Sequence, residues 1–205
     1  MTSESLRTRI QIEVARQAWL NGMATAHHYM RRPVHRRACP FGWAVRFDGE
    51  LYQPDGAPSG LIMFSSIHFT RLRGEFGYPG LPTKWQVLSL ARLWLHDNLP
   101  HNSETVVIAK ALKLVQTRWL EVHPPVDYGQ PYQIKKIISY ADLTRHHGTI
   151  YRAANFREYG RTISQARHGG SRGPGAGAEL ICFIYDLDEP KRYIVPQRSL
   201  FEAAP

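Results

Sequence analysis

The residues best suited to move protons lie in the last third of the chain. Asp142 follows a strand-like run, and His147 and Tyr151 stand four positions apart in a segment of helical composition. On a helix this spacing places both side chains on one face. An Asp, a His and a Tyr that meet at the end of a strand form a set able to transfer protons near neutral pH. The structural alternative is that Asp142 closes the turn and the other two side chains only pack.

Two further segments carry candidate ligand-binding residues. His28 and Tyr29 lie near the end of a helix predicted for about 18–30. Adjacent histidines do not share a helical face, so they are not expected to bind a metal together; a packing or surface role is favoured over one histidine facing a site. Asn102 and Ser103 begin a second predicted helix, whose N-terminus is suited to bind an anion. Because no glycine-rich loop precedes it, a plainly capped helix is an equal alternative.

Basic residues concentrate in loops. The chain carries 26 Lys and Arg against 17 Asp and Glu, a formal charge of +9 on 205 residues. This excess suggests an acidic partner such as nucleic acid. We expect phosphate contacts from arginines in three segments: one after the first helix, one in an aromatic-rich loop at 69–84, and a Gly/Arg segment. These are Arg31, Arg32, Arg36 and Arg37; Arg71 and Arg73; and Arg161. In the central loop, the aromatic side chains among the arginines are suited to stack on an unpaired or flipped base, and aromatic side chains that pack on one another are an equal alternative.

The elements that must position these residues follow the predicted order β-α-β-β-β-α-β-α-β-β. Strands are predicted at about 10–14, 42–47, 60–68, 86–96, 134–140, 158–163 and 180–185, and helices at about 18–30, 104–119 and 146–155. This order predicts a mixed α/β (α+β) sheet with helices on its faces. Asn155 before Phe156 predicts a left-handed residue that ends the last helix. We expect one domain over 1–205, with a flexible Gly/Arg loop at 164–179 and an irregular tail at 190–205.

Composition excludes several classes of protein. Apolar residues make up 43% of the chain, which is enough for a core and excludes a disordered basic tail. No apolar run approaches the roughly 20 residues that span a membrane, and the N-terminus lacks the layout of a signal peptide. Two cysteines cannot form a disulfide framework. We therefore expect a soluble, cytoplasmic protein with no membrane partner. The histidine pairs at 27–28 and 146–147 leave a metal such as iron open, although no ligand spacing supports one.

The segment Tyr151-Arg-Ala-Ala-Asn-Phe156 resembles the Tyr-x-x-x-Gly-Phe ending of the last major helix in the GNAT acyltransferase fold, with Asn155 in place of Gly. The strand order resembles that fold as well. The resemblance implies a mostly antiparallel GNAT-like sheet, an acyl donor such as acetyl-CoA, and Tyr151 as the acid that protonates the departing thiolate. The usual pyrophosphate loop of the fold, Arg/Gln-x-x-Gly-x-Gly/Ala, is absent, because Asp97 to Ser103 has Asn, Pro and His where the glycines would stand.

A narrower resemblance, from about Ile10 to Arg161, is to the Mom family of phage and prophage DNA modification proteins. It is carried by Ala26-His-His-Tyr29, by Leu93 to Ser103, and above all by Ser139-Tyr-Ala-Asp142 and His147-Gly-Thr-Ile-Tyr151. The resemblance implies an enzyme that adds a carbamoylmethyl group to the exocyclic amine of adenine in double-stranded DNA. That modification shields phage DNA from restriction in the cytoplasm of the bacterial host.

The same resemblance implies roles for individual residues. Asp142 accepts a proton from the adenine amine or orients it, and Tyr151 donates a proton or a hydrogen bond. His28, Tyr29 and His147 shape the pocket that receives the base, which must leave the stack to reach the site. The implied donor site comprises Leu93, Leu95, Asn102, Ser103 and Ser139. The alternatives are a GNAT N-acetyltransferase that acts on a small amine with acetyl-CoA, and a DNA-binding protein without activity. The oligomeric state is left open, with a homodimer as one option.

Overall fold

A seven-stranded sheet forms the centre of the molecule. The computed structural model describes residues 3–67, 87–122, 134–163 and 178–187. Across the sheet the order is β1-β2-β3-β4-β5-β7-β6, and each neighbouring pair is antiparallel except β4 with β5. The strands are β1 (Ile10–Val14), β2 (Phe41–Phe47), β3 (Gly60–Ser66), β4 (Val87–Leu95), β5 (Lys136–Asp142), β6 (Arg157–Ile163) and β7 (Glu179–Asp186). The predicted mixed, mostly antiparallel sheet is confirmed.

Helices cover both faces of the sheet, as predicted. In the described ranges they are α1 (Ser3–Arg9), α2 (Gln17–His27), α3 (Ser103–Val122) and α4 (Thr149–Ala153), with a short 3-10 turn at Arg36–Ala38. The predicted order of elements is confirmed with one addition, α1. This helix has only seven residues, too few to show a helical period of apolar side chains. No helix in these ranges has the length and apolar character that crossing a membrane requires.

Different helices cover the two faces. On one face, which we call the α3 face, Trp43 and Phe64 of the sheet pack with Val107 and Trp119 of α3 in the main core. On the other, the α2 face, α2 and the segment after it pack on the sheet through a separate cluster, made of Leu20, Ala24, Val34, Ala38, Leu61 and Met63. Since successive strand residues point to opposite sides, the sheet separates the two clusters. A group bound on one face therefore meets the other face only where the sheet opens.

The sheet opens between β4 and β5. Their parallel pairing covers only Val87 to Ser89 of β4, whereas β4 stays paired with β3 as far as Leu95. β5 likewise stays paired with β7 as far as Asp142. A register shift between Met63 and Phe64 of β3 adds a residue to β4 at this level, and such a bulge bends a strand. The result is a V-shaped opening between 90–95 and 139–142.

Several predicted boundaries differ from the structure. The last helix begins at Thr149 and not at 146, because Gly148 stands before it with a left-handed φ of 74°. His147 therefore lies in the preceding loop, and the predicted shared helix face with Tyr151 is wrong. α2 ends at His27, short of the predicted residue 30. The loop at 69–84 with Arg71 and Arg73, the tail at 190–205 and most of 164–179 lie outside the described residues; Glu179 is already the first residue of β7.

Candidate active site

The end of α4 fixes the position of Tyr151. Asn155 adopts a left-handed φ of 64°, as its place before Phe156 predicts. The Phe156 N–H donates to the Tyr151 carbonyl (2.9 Å) and the Asn155 N–H donates to the Arg152 carbonyl (3.0 Å), which are the two bonds of a Schellman motif. The Tyr151 ring stacks on Phe183, with 5.0 Å between ring centroids, and meets Phe156 edge-on at 5.6 Å. Backbone and aromatic contacts together hold this phenol in place.

The Tyr151 hydroxyl lies beside the narrow end of the opening between β4 and β5. It is hydrogen-bonded to the side chain of Ser139, whose Oγ donates to the carbonyl of Leu90 on β4 (3.3 Å). Burial raises the pKa of Tyr151 from its ordinary value, and the bond to Ser139 opposes that effect only in part. The phenol therefore keeps its proton at neutral pH and can donate it into the opening.

Of the two adjacent histidines, His28 is the buried one. It is 5% exposed, whereas His27 stands at the surface and stacks on Trp94 at 4.5 Å. The Nδ1 of His28 accepts the N–H of Met30 (3.2 Å), so the neutral ring carries its proton on Nε2. Burial, with smaller contributions from Arg92 and His146, lowers the pKa of His28 to about 3. The imidazole is therefore neutral under physiological conditions.

Tyr29 forms the mouth of the site on the α2 face. Its ring lies 4.3 Å from the ring of His28 and 5.7 Å from that of His146, and the guanidinium of Arg145 lies 5.2 Å from its centroid. The residue is still 38% exposed. Burial and the nearby charge of Asp142 raise the pKa of Tyr29, and the neighbouring arginines oppose them. A ring with this exposure offers a surface for stacking at the entrance.

Asp142 has both a structural and an available oxygen. Its Oδ1 accepts the N–H (3.0 Å) and the hydroxyl (2.6 Å) of Thr144, so the carboxylate does close the turn. Its Oδ2 lies 4.0 Å from Nε of Arg145 and accepts no hydrogen bond from the residues that the structure describes. The residue is 6% exposed. The carboxylate can therefore serve the turn and still receive a proton at Oδ2.

Two charged neighbours of this site were missed by sequence reasoning: Arg145 in the turn after Asp142, and Arg92 of β4. A charged residue in the mostly apolar run from Val87 to Leu95 was the available indication for Arg92. Of the histidine pair 146–147, for which the sequence left the choice open, His146 is the one whose ring meets Tyr29. His147 is exposed, and its carbonyl accepts a bond from Arg152 (2.5 Å); a role for it in the pocket stays a prediction.

The predicted donor-site residues surround the N-terminal end of α3 and the opening. Leu93 and Leu95 pack with the main core, so their main-chain atoms are the groups available to a ligand. Asn102 has a φ of 70°, and its carbonyl accepts the Val106 N–H (3.2 Å), as expected of a helix cap. The Ser103 hydroxyl donates to the Pro100 carbonyl (2.6 Å).

A cavity of about 630 Å³ lies next to the start of α3. Its walls come from α1, from the N-terminal half of α3 and from the end of α4. Asn102 lines it, but Ser103 does not. Within the described residues no group of three or more His, Cys, Asp or Glu side chains is arranged to hold a metal ion.

The arginines predicted to contact DNA fall into two electrostatic classes. Arg31 and Arg36 are exposed, and neither they nor Arg32 has an acidic partner among the described side chains. Residues 14–47 contain no Asp or Glu at all, a feature that sequence reasoning overlooked. Arg161, in contrast, pairs with Glu179 at 3.0 Å. Unmatched charge therefore lies on the α2 face, beside Tyr29. The side chain of Arg37 is not among those described.

Solved structures with the same fold are acetyltransferases. NAA60 of Arabidopsis thaliana, in complex with acetyl-CoA, matches with a TM-score of 0.57 and 12% identity over 88% of this chain and 99% of that chain. Spermidine N-acetyltransferase from Vibrio cholerae, in complex with CoA and spermine, matches with a TM-score of 0.50 and 10% identity over 88% and 97% of the two chains. At such identities the likeness shows the fold alone, and the predicted GNAT fold is confirmed.

Sequence similarity is more specific than the fold. A methylcarbamoylase, mom of Escherichia phage Mu, is 26% identical over 91 residues, which are 42% of this chain and 38% of that relative. The alignment thus spans well under half the length of the curated relative. The family model for the Mom protein family matches residues 9–172, a range that contains both walls of the opening and the side chains around it. The chain belongs to the Mom protein family.

Proposed function

We propose that this protein is a transferase that adds a carbamoylmethyl-type group to the exocyclic amine of adenine in double-stranded DNA, with an acyl-CoA-type donor. The observation that carries the proposal is the opening between β4 and β5. Tyr151 lies on its α3 side, whereas Asp142, His28 and Tyr29 lie on its α2 side. A transferase with two substrates must bring them to one point in a fixed orientation, and this opening supplies separate entrances. Membership of the Mom family supports the choice of chemistry.

The residues present fit an acyl-CoA-type donor on the α3 face. Beyond Leu90, β4 offers main-chain groups that β5 does not use. At the start of α3, the amide N–H groups of Glu104 and Thr105 point out of the helix and have no acceptor among the described residues, which suits an anion. Such a donor, when bound, supplies a group activated for transfer to an amine.

The protein's own residues would handle two protons. When the amine nitrogen bonds to the carbonyl carbon of the donor's thioester, Asp142 would receive at Oδ2 the proton that the nitrogen releases. The carbon–sulfur bond would break, and Tyr151 would donate its hydroxyl proton to the departing thiolate, so bonds and protons balance. Forming the bond between the nitrogen and the methylene carbon of the carbamoylmethyl group is a separate step from this acyl transfer. His28, held neutral, presents Nε2–H as a donor. None of these steps requires a nucleophilic side chain.

The acceptor side fits DNA. Arg31, Arg32 and Arg36 bring unmatched positive charge to the face on which Tyr29 lies, and phosphate neutralisation is the main source of affinity for DNA. The adenine amine takes part in base pairing, so the base must leave the stack. The exposed ring of Tyr29 provides a surface on which such a base stacks. Modified adenine would protect phage DNA from restriction in the bacterial host.

Mass spectrometry of nucleosides tests the proposal. DNA is isolated from bacterial cells that express the wild type, Asp142→Asn or the control Glu50→Gln, an exposed carboxylate in the turn after β2 and outside the site. The Asp142→Asn side chain keeps an oxygen for the Thr144 bonds, so the turn is preserved. We expect carbamoylmethyl-type deoxyadenosine with the wild type and the control, and little or none with Asp142→Asn. Unmodified adenine in every sample, or equal modification with Asp142→Asn, contradicts the proposal.

The second candidate is an N-acetyltransferase for a small amine, which the names of the structural neighbours favour. Salt-titrated DNA binding separates the two. A DNA-modifying enzyme binds duplex DNA with an affinity that falls steeply with salt, whereas a metabolite acetyltransferase does not. Release of CoA from acetyl-CoA in the presence of spermidine, with weak DNA binding, favours the second candidate.

A further inference from the structure

The N-terminal helix α1 forms one wall of the cavity on the α3 face. Leu6 is 4% exposed and belongs to the main core, so it fixes α1 to the body of the protein. The next residue, Arg7, lines the cavity, and Lys113 of α3 lines it as well. The volume of about 630 Å³ is within the range of ligand sites, about 300–1,000 Å³.

The lining of this cavity has positive charge and, among the described residues, no negative charge. Arg7 and Lys113 are both exposed, and neither has an acidic partner in the part of the chain that the structure describes. No described Asp or Glu lines the cavity. Arginines on β6 are matched, in contrast: Arg157 pairs with Asp186 at 3.1 Å and Arg161 with Glu179 at 3.0 Å. A concave wall with two unmatched cations attracts an anionic ligand.

The position of the cavity indicates which anion. It lies at the start of α3, where the Gly-rich phosphate loop of the fold is replaced by Asp97 to Ser103. We infer that Arg7 and Lys113 replace that loop in function and bind the phosphate groups of the acyl-CoA-type donor. In this arrangement α1 packs across the bound phosphate groups. For the identity of the ligand, this inference rests on the proposed function.

This cavity is separate from the surface assigned to DNA. The segment that bears Arg31 and Arg36 is anchored by Val34 and Ala38 in the cluster on the α2 face. Leu6 anchors α1 in the core on the α3 face. The sheet lies between them, so a DNA duplex on the first surface does not reach the second. The two groups of cations therefore serve different phosphates.

Direct binding tests the inference. Isothermal titration calorimetry of the full chain is carried out with CoA, with ADP and with pantetheine, which lacks the phosphates. We expect the wild type to bind CoA more tightly than either part. Arg7→Gln and Lys113→Gln should each weaken CoA and ADP binding about tenfold and leave pantetheine binding unchanged. The control Lys110→Gln, on the same helix but outside the lining, should change none of the three.

Each other outcome overturns the inference. Equal CoA affinity in the wild type and Arg7→Gln removes the proposed contact. An equal loss of pantetheine binding shows that the substitution disturbs packing, and ADP binding as tight as that of CoA indicates a nucleotide site unrelated to the donor. A wild type that does not bind CoA also overturns it. The proposed function fails separately: CoA binding with the expected pattern, but without modified adenine in cells, disproves DNA modification and leaves the phosphate site in place.

Discussion

Ser139 and Asp142 show how one strand supplies residues to both faces of a sheet. Ser139, which holds the Tyr151 hydroxyl, and Asp142 are three positions apart on β5, and an odd separation places them on opposite faces. The donor-side acid and the acceptor-side carboxylate are therefore kept apart by the strand itself. Each acts on its own side of the opening.

At the residue scale, Tyr151→Phe tests the phenol alone. The ring contacts with Phe183 and Phe156 remain, and Ser139 keeps its bond to the Leu90 carbonyl. We expect adenine modification to fall about 10²–10⁴-fold, the usual contribution of a positioned proton donor, while the free energy of unfolding changes by only about 1 kcal/mol. Nucleoside mass spectrometry and urea unfolding measure the two effects. Unchanged modification would assign the hydroxyl a structural role.

His28 should make the stability of the protein depend on pH. Its pKa is about 3 when folded and 6.5 when unfolded, so between these values only the unfolded chain binds the proton. The contribution of neutral His28 to the free energy of unfolding is therefore fully present above pH 6.5. It is lost as the pH decreases toward 3, by up to about 1.4 kcal/mol per pH unit. His28→Asn keeps an acceptor for the Met30 N–H and removes the titration, so its urea unfolding curve should depend less on pH in this window.

The comparison of the two unfolding curves across this pH window is the decisive measurement. If the wild type and His28→Asn lose stability in parallel between pH 6.5 and 4, the histidine is not held neutral by burial.

At this scale the sequence predicted residue types better than their surroundings. The structure places Asp142, Tyr151, His28 and Tyr29 around one opening, and their roles there stay predictions. Which histidine of the pairs 27–28 and 146–147 contacts the site depends on where α2 ends and where α4 begins. A shift of one residue in either boundary would bring the other histidine of the pair to the site. His146, and not His147, meets Tyr29 for this reason.

At the element scale, the start of α4 depends on a glycine. Gly148 has a φ of 74°, and a Cβ there would stand 2.3 Å from the Phe183 ring on which Tyr151 stacks. Gly148→Ala should therefore cost the strain of a left-handed residue, about 1–2 kcal/mol, plus about 1–3 kcal/mol for overlap with Phe183. Thermal or urea unfolding measures the total, and adenine modification should fall because Tyr151 moves with Phe183.

Gly56→Ala is the matched control, because Gly56 has a φ of 81° and open space around its Cα. Gly56→Ala should lower the free energy of unfolding only by the strain of a left-handed alanine, and it should keep full adenine-modification activity. Equal losses of stability for the two variants would mean that Phe183 accommodates the methyl group without cost.

The strands and α3 could be predicted because each has a clear pattern of apolar residues over its length. The opening between β4 and β5 could not, since an apolar run such as Val87 to Leu95 does not report which of its residues are paired with a neighbour. α1 escaped prediction because its seven residues bury one large side chain, Leu6, and owe their helical form to contact with α3. The left-handed conformation of Asn155 could be predicted, because it depends only on the residue type and its position at the end of a helix.

At the scale of the whole molecule, the basic residues behind the formal charge of +9 lie in separate regions, and only some of them have acidic partners. Acidic partners neutralise Arg152, Arg157 and Arg161 at the β6–β7 side of the sheet. Unmatched cations remain on the α2 face and around the cavity on the α3 face. Net charge alone suggested an acidic partner, and its distribution assigns a different kind of phosphate to each face.

Replacement of Arg31, Arg32 and Arg36 together by Gln should weaken DNA binding at all sequences alike. The plot of log K against log salt should lose about 0.9 in slope for each phosphate contact removed. Fluorescence anisotropy with a duplex at several salt concentrations measures this. Arg46→Gln is the control, because Arg46 already pairs with Glu13 and should leave the slope unchanged. A triple variant with the wild-type slope would show that DNA lies elsewhere.

The opening between β4 and β5 also has a consequence for the dynamics of the empty protein. After Leu90, β4 has hydrogen-bonding groups on its β5 side that no described strand covers. The described parts of β4 and β5 are paired only at the three positions from Val87 to Ser89, with the Ser139 hydroxyl bonded to the Leu90 carbonyl beyond them. A ligand that runs along this edge would complete the sheet. Amide hydrogens of residues 90–95 that point toward β5 should exchange quickly with solvent in the free protein and become protected when CoA binds. The bound donor would then occupy the position of a strand along this edge of β4, and the sheet becomes continuous only in the complex.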